Sequence, residues 1–531
     1  MLSRSSIRWI LAAWILFPTT ASGMLERTVA GMGPLGPQDV TTRRPGEPAA
    51  PMNSIDPERG QIIWHNHLTD AIHQSTSISI ASGCLAAGTY LNPPEEAELI
   101  PLWGDGTPDW VCPGTDFRVA ASRFGDVIAG VDKRADGVML YKWHSDSSTP
   151  DWTFLIRSSS VGGARALVVS PDASTIALLV TMWDPGNVRL YLFDPASSTP
   201  TAIYDAPEGT FPRNIDITAD GRYIAFIAAA DAYVYDRDAQ SVRWSGGMGG
   251  SNDPIAISGD GTYLAYGWTS FYLREWTGSA YTPGWSISGG DFWVRSCRFS
   301  LDSGTLVVGW YDHNTHLENR IELYDLPLSS PLWTYPYTPG SGEYQDIPCE
   351  IAITADGGYA AVASWGDARN TNPEIHVFER RSSNPVLTVD TPGSMFSVDI
   401  AQTEGGGVYV AACGKHVHAN EQGRGGDLYS ILVTDPSAVR DRPPVAHDLV
   451  LRVQPSVCAS EAEIDFMLPE ASQPCVRIYS PTGRLACSLE HGWLDAGEHH
   501  WTWRGRLSPG RYWLQLHAGS RSTSRPILVT R

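Results

Sequence analysis

The sequence predicts an all-β fold, and three observations predict it. One pattern recurs along the chain: NIDITADGRYIAFIAA (214–229), PIAISGDGTYLAYGWT (254–269) and EIAITADGGYAAVASW (350–365) each read as an alternating strand, a tight Asp/Gly turn and a second strand rich in small apolar residues. Asp-Gly between alternating runs is a hairpin signal, because glycine supplies the positive φ that the turn requires. The composition agrees: 51 Gly, 20 Trp and 21 Tyr in 531 residues, with only 18% charged. Finally, the tetrapeptide TPDW occurs at 107–110 and again at 149–152, a spacing that suits a repeated structural unit.

Taken in order, the chain opens with MLSRSSIR, the apolar run WILAAWILF (9–17) and small residues ending at Gly23. A charged head, a short apolar run and a small-residue exit predict a signal peptide over 1–23. The run is too short to span a bilayer, so no transmembrane span is expected once it is removed. Residues 24–57 are Pro-rich and weakly apolar, and read as a flexible segment.

From 58 to 436 the repeat dominates. RALVVSPDASTIALLV (165–180) and SCRFSLDSGTLVVGWY (296–311) are further copies; SISIASGCLAAGTY (77–90), FRVAASRFGDVIAGVD (117–132) and FSVDIAQTEGGGVYVAA (396–412) are looser ones. The turn positions are Gly83, Gly125, Asp172, Asp220, Asp260, Asp302, Asp356 and Gly405, spaced 40 to 54 residues apart. Each hairpin is followed by a third strand (VMLYKW, VRLYLFD, FYLREW, RIELYD, EIHVFE) and a fourth (WTFLIR, TAIYDA, GWSISG, LWTYPY, VLTVD). Four strands per roughly 45 residues is the signature of a β-propeller of the WD-repeat-like class. The count predicts eight blades, or seven if the first and most degenerate unit is not one. The last unit lacks a fourth strand, and QIIWHNHL (61–68) is a spare strand near the start that would close the ring. TPDW then leads into a fourth strand, with Trp packing on the neighbouring repeat.

Residues 437–448 are a Pro-rich, charged linker, and 449–531 hold about seven short strands, the length of a small β-sandwich. In order come IDFMLPE (464–470), VRIYSPTGR (476–484), LDAGEHHWTWRG (494–505), LSPGRYWLQL (507–516) and a basic end at Arg531. This resembles the C-terminal sorting domains of type IX secretion cargo, and is similar to the Ig-like domain of flagellar hook-capping proteins. The sequence departs from that pattern at Gln454-Pro455, at Trp503-Arg504-Gly505 and in its three cysteines. The resemblance implies an Ig-like fold and engagement of secretion machinery, hence a secreted or outer-cell-surface location. A simple Ig-like accessory domain is the alternative.

The charge of -20 excludes nucleic acid as an expected partner, because an acidic chain repels phosphate backbones. The eight cysteines of an exported chain predict some disulfides beside buried thiols. There is no GxSxG, HExxH, P-loop or DxDxDG pattern, and no cofactor is expected unless a divalent metal binds. Function is therefore sought in the loops between second and third strands. YDHNTHLEN (311–319), SWGDARNTNPE (364–374), GKHVHANEQGRGGD (414–427) and TMWDPGN (181–187) stand out. Trp183, Asp184, Trp310, Asp312, Trp365 and Arg369 are candidate binding residues for a protein or glycan ligand. Packing at blade interfaces is the rival account of the tryptophans, above all for Trp310 at a strand end. His313, His316, His416 and His418 are candidate metal ligands. Asp312, Glu318 and Asp367 are the candidate acid/base carboxylates of an alternative hydrolase or lyase. A scaffold role without a small ligand is the third reading.

Overall fold

In the computed structural model, the described residues are 54–55 and most of 60–530. The gaps are 158–160, 184–185, 208–211, 229–230, 248–253, 403–407, 419–420, 422, 434–449 and several turns beyond 454. The expected signal peptide and the linker lie outside the described residues, as does all of the Pro-rich segment but Ser54–Ile55. Among the described residues every regular element is a β-strand, and no helix is long and apolar enough to cross a membrane. The chain divides into two compact units, residues 1–403 with 407–434, and 404–406 with 435–531.

In the first unit, antiparallel four-stranded sheets follow one another in the pattern of propeller blades. They span residues 72–113, 117–157, 161–205, 212–247, 255–288, 292–337, 348–390 and 395–433, and are called sheets 1 to 8 below. Sheet 7 gains the two-residue strand Ser54–Ile55 at its edge. Sheet 8 supplies only three strands of its own, Met395–Gln402, Val408–Lys415 and Gly426–Val433; its outer strand is Gly60–Leu68, paired with Gly426–Val433 from Gly60↔Val433 to Leu68↔Gly426. The spare strand near the start of the sequence therefore completes the last sheet. The first strand of each sheet neighbours that of the next, and Met395–Gln402 returns to Ile72–Ser79, so no edge among these first strands is left open.

Two devices join the sheets. The first lies in the hairpin turns between first and second strands. In sheet 4 the Thr218 hydroxyl donates to Asp220 (2.7 Å), Arg222 N–H donates to the same carboxylate (3.0 Å) and Tyr223 N–H donates to the Thr218 oxygen (3.0 Å). Ser258 with Asp260 and Thr354 with Asp356 repeat this network. The Ser/Thr-x-Asp spelling thus satisfies donors that the tight turn would leave bare. Successive turns also bond to each other, Asp172 N–H to Ala219 O and Ala219 N–H to Gly259 O.

The second device explains TPDW. Trp110, first residue of the fourth strand of sheet 1, donates its indole N–H to Ser145 O in sheet 2 at 3.0 Å. Trp152 reaches Pro195 O in sheet 3 at 2.8 Å, and Trp333 reaches Arg380 O in sheet 7 at 2.8 Å. Trp64, in the strand that completes sheet 8, reaches Pro101 O in sheet 1 at 3.0 Å. The ring fills the space between sheets while its polar edge is paired, as a buried indole requires. Apolar clusters straddle the sheets accordingly: Ala86, Leu99 and Trp110 pack with Phe117, Val119 and Trp143.

The second unit contains a three-stranded sheet (Val450–Gln454, Glu461–Leu468, Gly497–Arg504) and a five-stranded one (Val457–Cys458, Arg521–Val529, Gly510–Ala518, Pro474–Tyr479, Leu485–Glu490). Their inward residues form one core, with Leu451, Ile464 and Phe466 from the first meeting Val476, Ile478, Leu514, Leu516 and Ile527 from the second. Trp503 is buried in it, and a Cβ at Gly505 would meet its ring at 2.9 Å, which gives the Trp-x-Gly spelling a packing reason. The expectation of disulfides is corrected: none of the seven described cysteines forms one. Cys297, Cys349 and Cys413 each lie within a different sheet, and Cys475 and Cys487 on neighbouring strands are out of register, facing Glu490 and Ile478.

Candidate functional site

Strand direction places the loops between second and third strands on one face of the first unit, with the connections between sheets. On that face, among the described residues, sheets 5 to 8 carry a run of aromatic and buried charged groups. Trp268, just after the second strand of sheet 5, lies 5.3 Å from Trp293 in the first strand of sheet 6. Trp293 stacks on His313 with centroids 3.3 Å apart and planes 18° from parallel. Beside them Tyr311 contacts His316 (5.9 Å) and stacks on Tyr344 (6.0 Å). Four of these rings, Trp268, Trp293, His313 and Tyr344, are half-buried, so their faces are held while part of each meets solvent. The Trp268 indole N–H and His313 Nδ1 have no hydrogen-bond partner among the described residues. Burial, and then the nearby His316, hold His313 below its usual pKa, which favours the neutral ring.

The loop carrying Tyr344 crosses to sheet 7 with left-handed backbone at Tyr344 (φ 58°) and Asp346 (φ 49°). The Tyr311 hydroxyl oxygen accepts from Tyr344 N–H at 2.8 Å and anchors the loop. Asp346 is fully buried. One carboxylate oxygen accepts from Gly340 N–H (2.8 Å) and Asn372 Nδ2 (2.9 Å); the other has no partner among the described residues. Burial, and then repulsion from Asp367, push its pKa up to about 7. Glu374, also buried, accepts from Thr391 N–H at 2.8 Å and lies 3.1 Å from His418 Nδ1. Lys415 sits 4.2 Å over the Trp365 ring, and burial brings its pKa down to about 7.

The residues singled out from sequence fall differently. Trp310 is fully buried and Trp365 is 4% exposed; both pack between sheets, Trp310 near Phe271 (6.1 Å) and Trp365 stacked on Phe396 (5.3 Å). They are corrected from binding residues to core. Asp312 and Asp367 are also buried and hold their own loops. Asp312 accepts from Thr315 and Leu317 N–H, and these bonds outweigh burial to bring its pKa down to about 2. Asp367 accepts from Arg369 N–H, Thr371 N–H and the Thr371 hydroxyl. Neither is placed as a proton donor or base. Glu318, Arg369 and Trp183 are exposed, and Asp184 lies outside the described residues. The four histidines do not converge: His313 and His316 belong to the aromatic group, His418 pairs with Glu374, and His416 bonds to Asp427 at 2.7 Å. Sequence reading missed Trp268, Trp293, Tyr344, Asp346 and Glu374. The signal was faint: an aromatic beginning or following a strand in DFWVR and YGWTS reads as core.

The fold and this face define a propeller-type scaffold with one elaborated sector. Compared with known proteins, the chain matches no protein-family profile, and no curated protein matches it.

Proposed function

We propose that the chain is an exported, non-catalytic binding protein, secreted or held at the outer cell surface, whose loop face recognises a glycan. The observation that carries this reading is the half-buried group Trp268, Trp293, His313 and Tyr344. Flat aromatic faces that are partly open to solvent offer an apolar platform for the C–H face of a sugar ring. A protein ligand would be expected to use a wider apolar patch. The C-terminal unit, by its resemblance to sorting domains, directs type IX-like secretion or surface attachment in this reading. One observation favours a hydrolase: Asp346, with its pKa near 7, would keep a proton at neutral pH. Its complete burial denies a substrate access to it, so binding is the better supported function.

The full chain is screened on glycan and peptide arrays, and any hit is titrated by calorimetry. Trp268→Ala and Trp293→Ala should each weaken glycan binding at least tenfold, with an exposed outer-strand change, Ile203→Ser, as control. A glycan hit insensitive to both substitutions, or hits on peptides alone, would refute the glycan reading. Intact mass of the protein released by its native cell tests the sorting role. Loss of the tail near residues 436–450, or an added glycan, supports it; an unmodified product ending at Arg531 does not.

A further inference from the structure

Sheet 8 is closed by a strand from the opposite end of the first unit, and at that closure three imidazoles surround one carboxylate. Asp427, second residue of Gly426–Val433, is completely buried. Its Oδ1 lies 2.8 Å from His65 Nε2 and 3.1 Å from His67 Nδ1; its Oδ2 lies 2.7 Å from His416 Nδ1. The register explains the convergence. His67 is directly opposite Asp427 across the ladder, His65 is two residues back on the same face of its strand, and His416 follows the strand that pairs Asp427 on its other side. The His67 and His416 rings lie 4.3 Å apart at 56°, and one ligand atom from each of His67, His416 and Asp427 can be chosen so that all lie within 4.8 Å of one another. Gly425, at φ +94°, lets the backbone pass: a Cβ there would meet His67 at 3.1 Å and His416 at 3.2 Å.

We propose that His67, His416 and Asp427 bind a divalent transition metal of the zinc class, and that the metal fastens the strand Gly60–Leu68 to Gly426–Val433. Two imidazoles and a single carboxylate suit such an ion better than calcium or magnesium, which take oxygen-rich sets. Ligand atoms around a tetrahedral zinc with bonds of about 2.0–2.2 Å stand roughly 3.3–3.6 Å apart. The 2.7 and 3.1 Å contacts from the carboxylate to His416 and His67 would have to open to that spacing to admit the ion. The His67 and His416 side chains are 39% and 36% exposed, which gives the metal a way in and leaves a fourth position for water. His65 is a positioning residue. Its ring stacks on Tyr429 (4.3 Å, 2°) and its Nε2 fixes the carboxylate, the outer-shell contact that metal ligands characteristically carry.

The test uses the full chain, stripped with chelator and titrated with cobalt(II) or zinc(II) alone. One equivalent of Co2+ should bind, develop visible ligand-field absorption and raise the thermal midpoint; calcium should not compete. His67→Gln and His416→Gln should each weaken Co2+ binding at least tenfold, and the double variant should abolish it. His65→Gln should weaken it about tenfold and alter the absorption spectrum, which a purely structural role would not do. His313→Gln/His316→Gln and His418→Gln should leave it within twofold. His67 and His416 are half exposed, so these variants are read only with native near-ultraviolet dichroism; where the double variant fails to fold, the single variants decide. Absence of stoichiometric binding, or binding that survives His67→Gln and His416→Gln in folded protein, overturns the assignment.

Discussion

Asp346→Asn should stabilise the protein at neutral and alkaline pH. The wild-type carboxyl is buried beside Asp367 and its pKa is pushed from 3.8 to about 7. A raised carboxyl pKa means that the folded state binds the proton more tightly than the unfolded chain. Between pH 4 and 7 the folded state is therefore protonated there while the unfolded state is ionised, and stability falls as pH rises through that window. Three pH units at 1.36 kcal/mol each give about 4 kcal/mol, fully felt above pH 7 and absent below pH 4. The substitution removes the ionisation and keeps the geometry. The new carbonyl can accept from Gly340 N–H and Asn372 as Oδ2 does now. The new amide N–H2 takes the side where Oδ1 has no partner and can donate toward Asp367. Asparagine also tolerates the left-handed φ of 49° found there. Urea denaturation of the full chain at pH 5 and pH 8, followed by near-ultraviolet dichroism, gives the difference between variant and wild type. The variant should gain about 1.6 kcal/mol at pH 5 and up to about 4 kcal/mol at pH 8. An equal or lower stability of the variant at pH 8 would refute the argument, because it would mean that the ionised carboxylate is satisfied by the fold.

Other substitutions read out the scaffold. Trp333→Phe removes the indole bond to Arg380 O along with some packing volume, and should cost about 1–2 kcal/mol in urea denaturation. Asp260→Ala strips the acceptor for Ser258, Thr262 and Ser303; partial exposure keeps the expected cost to about 1–2 kcal/mol. Its bonds outweigh burial to hold the Asp260 pKa below 3.8. That contribution is present above pH 3.8 and lost as pH falls through the lower folded value, so the wild-type advantage over the variant should shrink in acid. Removing the chain up to residue 69 deletes the outer strand of sheet 8. The bared Gly426–Val433 edge should lower the thermal midpoint and produce self-association visible by light scattering.

The repeat was legible because its turns are spelled locally. Asp220-Gly221 and Asp260-Gly261 announce a hairpin from six residues of text, and the Trp of QIIWHNHL announced the strand that completes sheet 8. What was illegible depends on residues distant in sequence. His65 and His67 meet Asp427 only because Gly60–Leu68 pairs with a strand some 360 residues later, and no spacing rule spans that interval. The tryptophans show the opposite failure. Trp310 and Trp365 sit in loop-rich text, yet both turn inward, since a residue at a strand end still follows the alternation of the sheet. Trp268 and Trp293 occupy similar text and stay half exposed. The difference lies in what packs above them, which the chain does not spell locally. Asp346 was overlooked because an isolated aspartate in YQDIP carries no mark of burial.

The two faces of the first unit answer different demands. On the turn face, sheets 3 to 7 reuse one Ser/Thr-x-Asp network, and repetition there is what a ring of equivalent joints requires. On the opposite face, the left-handed non-glycine residues among those described are Leu91 in sheet 1 and, in sheets 6 and 7 or the loop that joins them, His316, Tyr344, Asp346 and Asn370. Such backbone is costly unless the surroundings over-determine it. The same short sector holds a destabilised carboxyl and unpaired ring nitrogens. Sheet 1 carries a smaller set of the same departures: Leu91 is left-handed, burial and then Glu98 push the Glu96 pKa up to about 7, and the His73 ring nitrogens have no hydrogen-bond partner among the described residues. In sheets 5 to 7 such features lie beside the half-buried rings of Trp268, Trp293, His313 and Tyr344, which is why the glycan test begins at Trp268 and Trp293.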